Sequence, residues 1–127
     1  MIESGELMMN KFWKFSNTQG SLWMNIDDIP EIVGQKAALE SWLHTDVRDF
    51  AKTLDYIDDV LAGNVEEDCL GGDGFSAYVK KEFTEIRYDF EDMDPSVKPC
   101  TVPTKLLREI VKAWLDEYEK FRASKKK

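Results

Sequence analysis

At 127 residues the chain is long enough for one domain with one modest core and too short for two. Its 43% hydrophobic and 33% charged residues are a globular balance rather than a disordered one. A formal net charge of -8 repels nucleic acid and anionic membrane and attracts basic proteins or cations, the alternative being that it serves solubility alone.

The acidity is concentrated: 19 acidic and 6 basic residues lie between Asp27 and Pro95. Arg122, Lys125, Lys126 and Lys127 offset part of it in what reads as a frayed basic tail, residues 122–127. Met1 to Met9 has neither a basic start nor an apolar run, so it is not a signal peptide. Met8 and Met9 suggest an alternative start, with residues 1–9 a leader and a single domain over residues 10–121. No apolar run approaches the ~20 residues that span a bilayer.

In chain order, Lys11 to Phe15 and Ser21 to Ile26 are aromatic-rich strands separated by a polar spacer, Ser16 to Gly20. Pro30 then suits the first turn of a helix, and Ile32, Val33, Leu39, Trp42 and Leu43 predict one over residues 31–43, interrupted by Gly34. A clearer helix follows, capped by Thr45 or Asp46, with Val47, Phe50, Ala51, Leu54, Ile57 and Leu61 on one face and Asp49, Asp55, Asp58 and Asp59 opposite. Gly63-Asn64 stops it.

Val65 to Gly74 reads as an exposed acidic and glycine-rich loop. Phe75 to Phe90 predicts two strands with a tight turn near Lys80 to Glu82, and the helix formers of Lys80 to Ile86 make a helix the competing reading. Three prolines make residues 91–103 a loop. Thr104 then caps a helix in which Leu106, Leu107, Ile110, Val111, Trp114, Leu115, Tyr118 and Phe121 line one face. The expectation is an α+β domain, a small antiparallel sheet packed with about three helices in the order β-β-α-α-β-β-α. Trp42, Phe50, Leu54, Ile110, Trp114 and Leu115 belong to its core, and Trp13 and Trp23 pack in the first strands.

Catalytic chemistry finds little purchase. His44 is the only histidine, placed at a helix junction as a surface or capping residue, which argues against a Ser-His-Asp arrangement and a multi-histidine zinc site. The carboxylates are abundant but lack a spacing that singles out a catalytic pair. Asp89, Glu91, Asp92 and Asp94 only faintly suggest a calcium loop, lacking its central glycine and closing glutamate. Gly71-Gly72-Asp73-Gly74 lacks the Lys-Ser/Thr of a phosphate loop. No metal and no cofactor are expected. Cys69 and Cys100 form no CxxC pair and fit a reduced cytosol, with their pairing left open.

Val60-Leu61-Ala62-Gly63-Asn64 closes a helix, Gly71-Gly72-Asp73-Gly74-Phe75-Ser76-Ala77-Tyr78 leads into a strand, and Ile86-Arg87-Tyr88-Asp89-Phe90 follows. Cys100-Thr101-Val102-Pro103-Thr104 then opens the helix bearing Trp114-Leu115. Over roughly Trp42 to Phe121 this order resembles the small immunity proteins of bacterial contact-dependent growth inhibition and related polymorphic toxin systems. The resemblance implies a cytoplasmic, non-enzymatic protein that binds its cognate toxin C-terminal domain, often a nuclease, and occludes the active site.

The residues expected to meet such a basic groove are Asp55, Asp58, Asp59, Glu66, Glu67, Asp68 and Asp73, with Asp89, Glu91 and Asp92 beside the hairpin. The carboxylates would imitate phosphates, and Tyr78 or Tyr88 would anchor the contact if it faces outward. The competing expectations are an acidic adaptor or chaperone-like module without a toxin partner, and a small hydrolase holding a metal through Asp89 or Asp92.

Overall fold

A computed structural model of the chain describes residues 12–18, 20–47, 51–71 and 74–125. The expected roles of Phe50 in the core, of Asp49 on the polar face and of Asp73 at the partner surface lie outside the described residues, as do residues 1–9 and the last two lysines.

The first two aromatic runs pair as an antiparallel hairpin, β1 (Trp13–Thr18) with β2 (Ser21–Ile26). Alternation in β2 buries Leu22, Met24 and Ile26 and leaves the residues between them outside, as a one-sided strand requires.

The helix expected over residues 31–43 begins later, as α1 (Lys36–Asp46), and a short strand β3 (Val33–Gly34) precedes it. The cause is Gly34. Its φ is +95°, and a Cβ there would stand 2.4 Å from the Pro99 carbonyl oxygen, so the chain is extended and pressed against a neighbouring strand. Within α1, Ala38, Leu39, Trp42 and Leu43 recur at three- and four-residue spacing and are all buried. Thr45 and Asp46, expected to cap the following helix, form the last turn of α1; Asp46 accepts the Phe75 backbone N–H at 3.2 Å. The next helix, α2 (Ala51–Ala62), ends at Gly63 with φ +84°, as its sequence signal indicates.

Two segments expected as loops are strands. β4 (Glu67–Gly71) pairs along its whole length with β5 (Phe75–Lys80). β7 (Cys100–Pro103) lies inside the sheet, between β3 and β6 (Phe83–Tyr88). β4 sits at the sheet edge, where a charged, glycine-ended strand is tolerated. β7 is only four residues long, so Pro99 and Pro103 fall at its ends, where a missing N–H breaks no interior ladder. The last helix, α3 (Thr104–Lys125), runs four residues beyond the Phe121 boundary expected for the ordered domain. Thr104 opens it fully buried, its hydroxyl donating to the Lys80 carbonyl and lying 2.8 Å from the Thr84 hydroxyl.

The result is an α+β fold with three described helices, a two-stranded sheet β1-β2 and a five-stranded antiparallel sheet in the order β3-β7-β6-β5-β4. The described order, β-β-β-α-α-β-β-β-β-α, adds β3, β4 and β7 to the four strands expected. The helices cover one face of the large sheet, and the hairpin packs on α1 and α3. Trp42, Ile110 and Trp114 are buried in the core with Ile86 and Val102, while Leu54 and Leu115 pack half-buried against it. Both deep indoles are satisfied. Trp114 Nε1 donates to the Val47 carbonyl, and Trp42 Nε1 donates to the Leu70 carbonyl at 3.0 Å. Trp13 is buried, whereas Trp23 is half-buried with its ring 4.3 Å from that of His44.

Candidate protein-binding surfaces

Register fixes which side chains share the uncovered face of the large sheet. Antiparallel partners point the same way, so Cys69, Tyr78, Glu85, Thr101 and Val33 form one row across the strands. Phe83 and Pro103 lie in the next row toward the β5–β6 turn, together with Glu67 and Lys80; Ser76 and Arg87 lie on the other side. The apolar members are conspicuously outside: Val33 is 64% exposed, Phe83 54% and Tyr78 42%. Between them runs a groove of about 700 Å³, lined by Tyr78, Phe83, Glu67, Glu85 and Thr101 among others.

The charges on this face are spent on one another. Lys80 stands 3.8 Å from Glu67. Arg87 donates to Glu85 at 3.1 Å and grips Glu91 through two nitrogens at 2.8 to 3.1 Å. The hydrogen bonds from Glu91 and then Glu85 raise the Arg87 pKa above its ordinary value. One carboxylate is left in excess over the two cations.

A second surface has the opposite character. On α2, the exposed residues Lys52, Asp55, Tyr56 and Asp59 fall on one stripe, because positions three and four apart share a helix face. The turn after α2 folds back on it, with the Asn64 and Val65 N–H groups donating to the Asp59 carbonyl and Asn64 Nδ2 donating to Asp59 Oδ1 at 3.3 Å. Val65 is therefore tied to the end of the stripe, and exposed Glu66 follows it in the chain. Tyr56 is 43% exposed and Val65 41%, amid Asp55, Asp59 and Glu66, none of which is in an ion pair among the described residues. Tyr56 also borders a shallow groove against the edge strand, with Lys52, Leu70 and Gly71.

The residues predicted from sequence as one contact surface thus separate. Asp55 and Asp59 lie together on the α2 stripe, and exposed Glu66 follows in the turn after it. Asp58 turns toward α3, where Arg108 Nε donates to it at 2.7 Å, so it joins two helices; that hydrogen bond is the main cause of the raised Arg108 pKa. Glu67 and Tyr78 belong to the open sheet face. Asp68 points to the other side of β4 and accepts the Cys69 N–H at 2.9 Å. Asp89, Glu91 and Asp92 lie at the far end of β6: Asp89 accepts the Ser76 hydroxyl at 2.7 Å, Glu91 is held by Arg87, and Asp92 is exposed. Tyr78 faces outward, whereas Tyr88 is half-buried between the rings of Phe75, at 5.1 Å, and Phe90, at 5.7 Å.

Tyr56, Val65, Phe83 and Val33 were not among the expected contacts. Two of them carried a signal: Tyr56 shares its helical stripe with Asp55 and Asp59, and Phe83 has the opposite strand parity to the buried Thr84 and Ile86. Val33 carried none, because β3 was read as helix.

The remaining chemistry is sparse. Among the described residues no three histidine, cysteine, aspartate or glutamate side chains are grouped to hold a metal ion, and no helix is long and apolar enough to cross a membrane. His44 is half-buried rather than superficial, its Nδ1 3.1 Å from the Leu22 carbonyl. Cys69 and Cys100 are both free thiols. They point to opposite faces of the sheet, on strands separated by two others, roughly 14 Å apart by strand spacing and beyond disulfide reach. Burial, helped by Glu40, pushes the Cys100 thiol up to about 12. Comparison with protein-family models, with characterised proteins and with solved structures finds no match to this chain.

Proposed function

We propose that this chain is a non-catalytic inhibitor that binds a basic partner protein, in the manner of the bacterial immunity proteins its sequence resembles, and that the outward stripe of α2 with the turn into β4 is its contact surface. The observation that carries the reading is the grouping of Asp55, Asp59 and Glu66, outside any ion pair, around exposed Tyr56 and Val65. Such exposed carboxylates can pair with arginine or lysine without first breaking an ion pair, and the aromatic ring supplies the apolar contact that charge alone does not.

The mechanism is occlusion. A nuclease groove is basic because it holds phosphates, and carboxylates spaced along a helix present negative charge at comparable intervals. Tyr56 enters a pocket that otherwise stacks a base, and the bulk of α2 and β4 excludes the substrate. Among the described residues of the exposed stripe Lys52 is the one cation, and it lies N-terminal to Asp55 and Asp59.

The test is co-purification of the tagged chain with the product of the gene directly upstream. The expected result is a one-to-one complex that weakens as salt rises, since long-range attraction between exposed charges is screened beyond about 8 Å at physiological ionic strength. Absence of any partner from that locus, or a complex indifferent to salt, overturns the proposal.

A further inference from the structure

We infer that the open face of the five-stranded sheet is the surface on which two copies of this chain meet. No described helix or strand covers this face, and Val33, Tyr78 and Phe83 stand out from three different strands of it. Scattered exposed apolar residues are ordinary, but Tyr78 and Phe83, diagonal neighbours that both line a groove of about 700 Å³, mark a contact surface.

Charge selects the occupant. Two copies each carrying a net charge of -8 repel, and can meet only where that repulsion is locally smallest. On the open face Lys80 answers Glu67, and Arg87 answers Glu85 and Glu91, so the surface is close to neutral, while the carboxylates outside ion pairs on the α2 stripe lie elsewhere. A basic partner gains little from carboxylates already engaged. A second copy gains from the arrangement, because a two-fold contact offers each cation a second carboxylate and each exposed ring the other copy's groove.

Tyr78 and Phe83 are diagonal neighbours across the β5–β6 hairpin, so two sheets packed about 10 Å apart can interdigitate these rings. Five strands of this length offer a footprint of roughly 500 Å² per copy, below the ~800 Å² of a standard stable interface. The contact is therefore a weak, reversible dimer.

Sedimentation equilibrium of the full chain, from about 5 to about 500 µM, tests this without any partner. The expected result is a monomer–dimer equilibrium that tightens as salt is raised, because screening relieves repulsion between like-charged copies. Phe83→Glu should weaken association at least ~tenfold, and Thr101→Glu, on a different strand of the same face, should do likewise. Tyr56→Ala, on α2, should leave it unchanged, and circular dichroism of each variant confirms folding. A chain that stays monomeric across this range overturns the inference, as does association that survives both open-face substitutions. Either outcome leaves the partner-binding role of α2 standing or falling on its own test.

Discussion

The outer stripe of α2 and the open face of the large sheet are both exposed, both carry a tyrosine and both include carboxylates, yet they treat charge in opposite ways. On the sheet, cations stand beside anions: strand register sets Lys80 opposite Glu67, and Arg87 pairs with Glu85 two residues before it on β6 and with Glu91 just past the strand. On α2, helical spacing gathers Asp55 and Asp59 on one stripe and exposed Glu66 follows in the turn, while Arg108 of α3 is engaged with Asp58. A neutralised apolar surface suits its own copy, and an uncompensated acidic one suits a basic stranger. Salt therefore acts with opposite sign on the two contacts.

The largest effect should fall on both surfaces together. Trp114 is buried, donates to the Val47 carbonyl and stacks 5.6 Å from Tyr118, so it ties α3 to the segment between α1 and α2. Trp114→Ala should cost about 3–5 kcal/mol in urea unfolding and remove partner binding and self-association alike. Loss of one without the other would mean that the two surfaces do not share a core.

Next in size is the combined reversal of Asp55, Asp59 and Glu66 to lysine. It should weaken partner binding at least ~100-fold with little change in unfolding midpoint, since these side chains are exposed. Asp58→Asn sharpens the contrast within one helix. Its carboxylate serves Arg108, so the variant should lose up to about 1 kcal/mol of stability and bind nearly as well. Asp55→Asn should do the reverse, keeping stability and losing affinity several-fold.

The sequence shows the α2 stripe far better than the open face, and the reason is periodicity. Twelve helical residues present a repeat in which Ile57 and Val60 define the buried side and Asp55 and Asp59 the outer one. The open face needs five strands in register, and three of them carry misleading local signals. β4 is acidic and ends in Gly71, β7 is bracketed by prolines, and β3 is two residues long. Their strand character comes from pairing with β5 and β6, which is tertiary and leaves no local imprint. Gly71 shows the point: its φ is +127°, and a Cβ there would lie 2.3 Å from the Phe75 carbonyl oxygen, a requirement visible only once the strands are together. The core was more legible, because Trp42, Ile110 and Trp114 sit on strongly periodic helices.

The smallest effect concerns pH. Glu40 accepts the Ile26 N–H at 2.6 Å, but burial outweighs that bond and raises its pKa above the ordinary glutamate value. A carboxyl whose folded pKa exceeds its unfolded one binds more protons when folded, so its contribution to stability declines as pH rises from the ordinary glutamate value through the raised one. Glu40→Gln should flatten that slope in denaturation measured across the window and leave both surfaces working. A steeper slope in the variant would contradict the assignment.

The division of labour is tested most directly by offering one partner, the upstream gene product, to two variants side by side in a titration calorimeter. The account predicts that the variant reversed at Asp55, Asp59 and Glu66 no longer binds, while Phe83→Glu binds as the unaltered chain does. Full binding by the first variant and loss by the second would place the partner on the open sheet face and contradict the assignment of both surfaces.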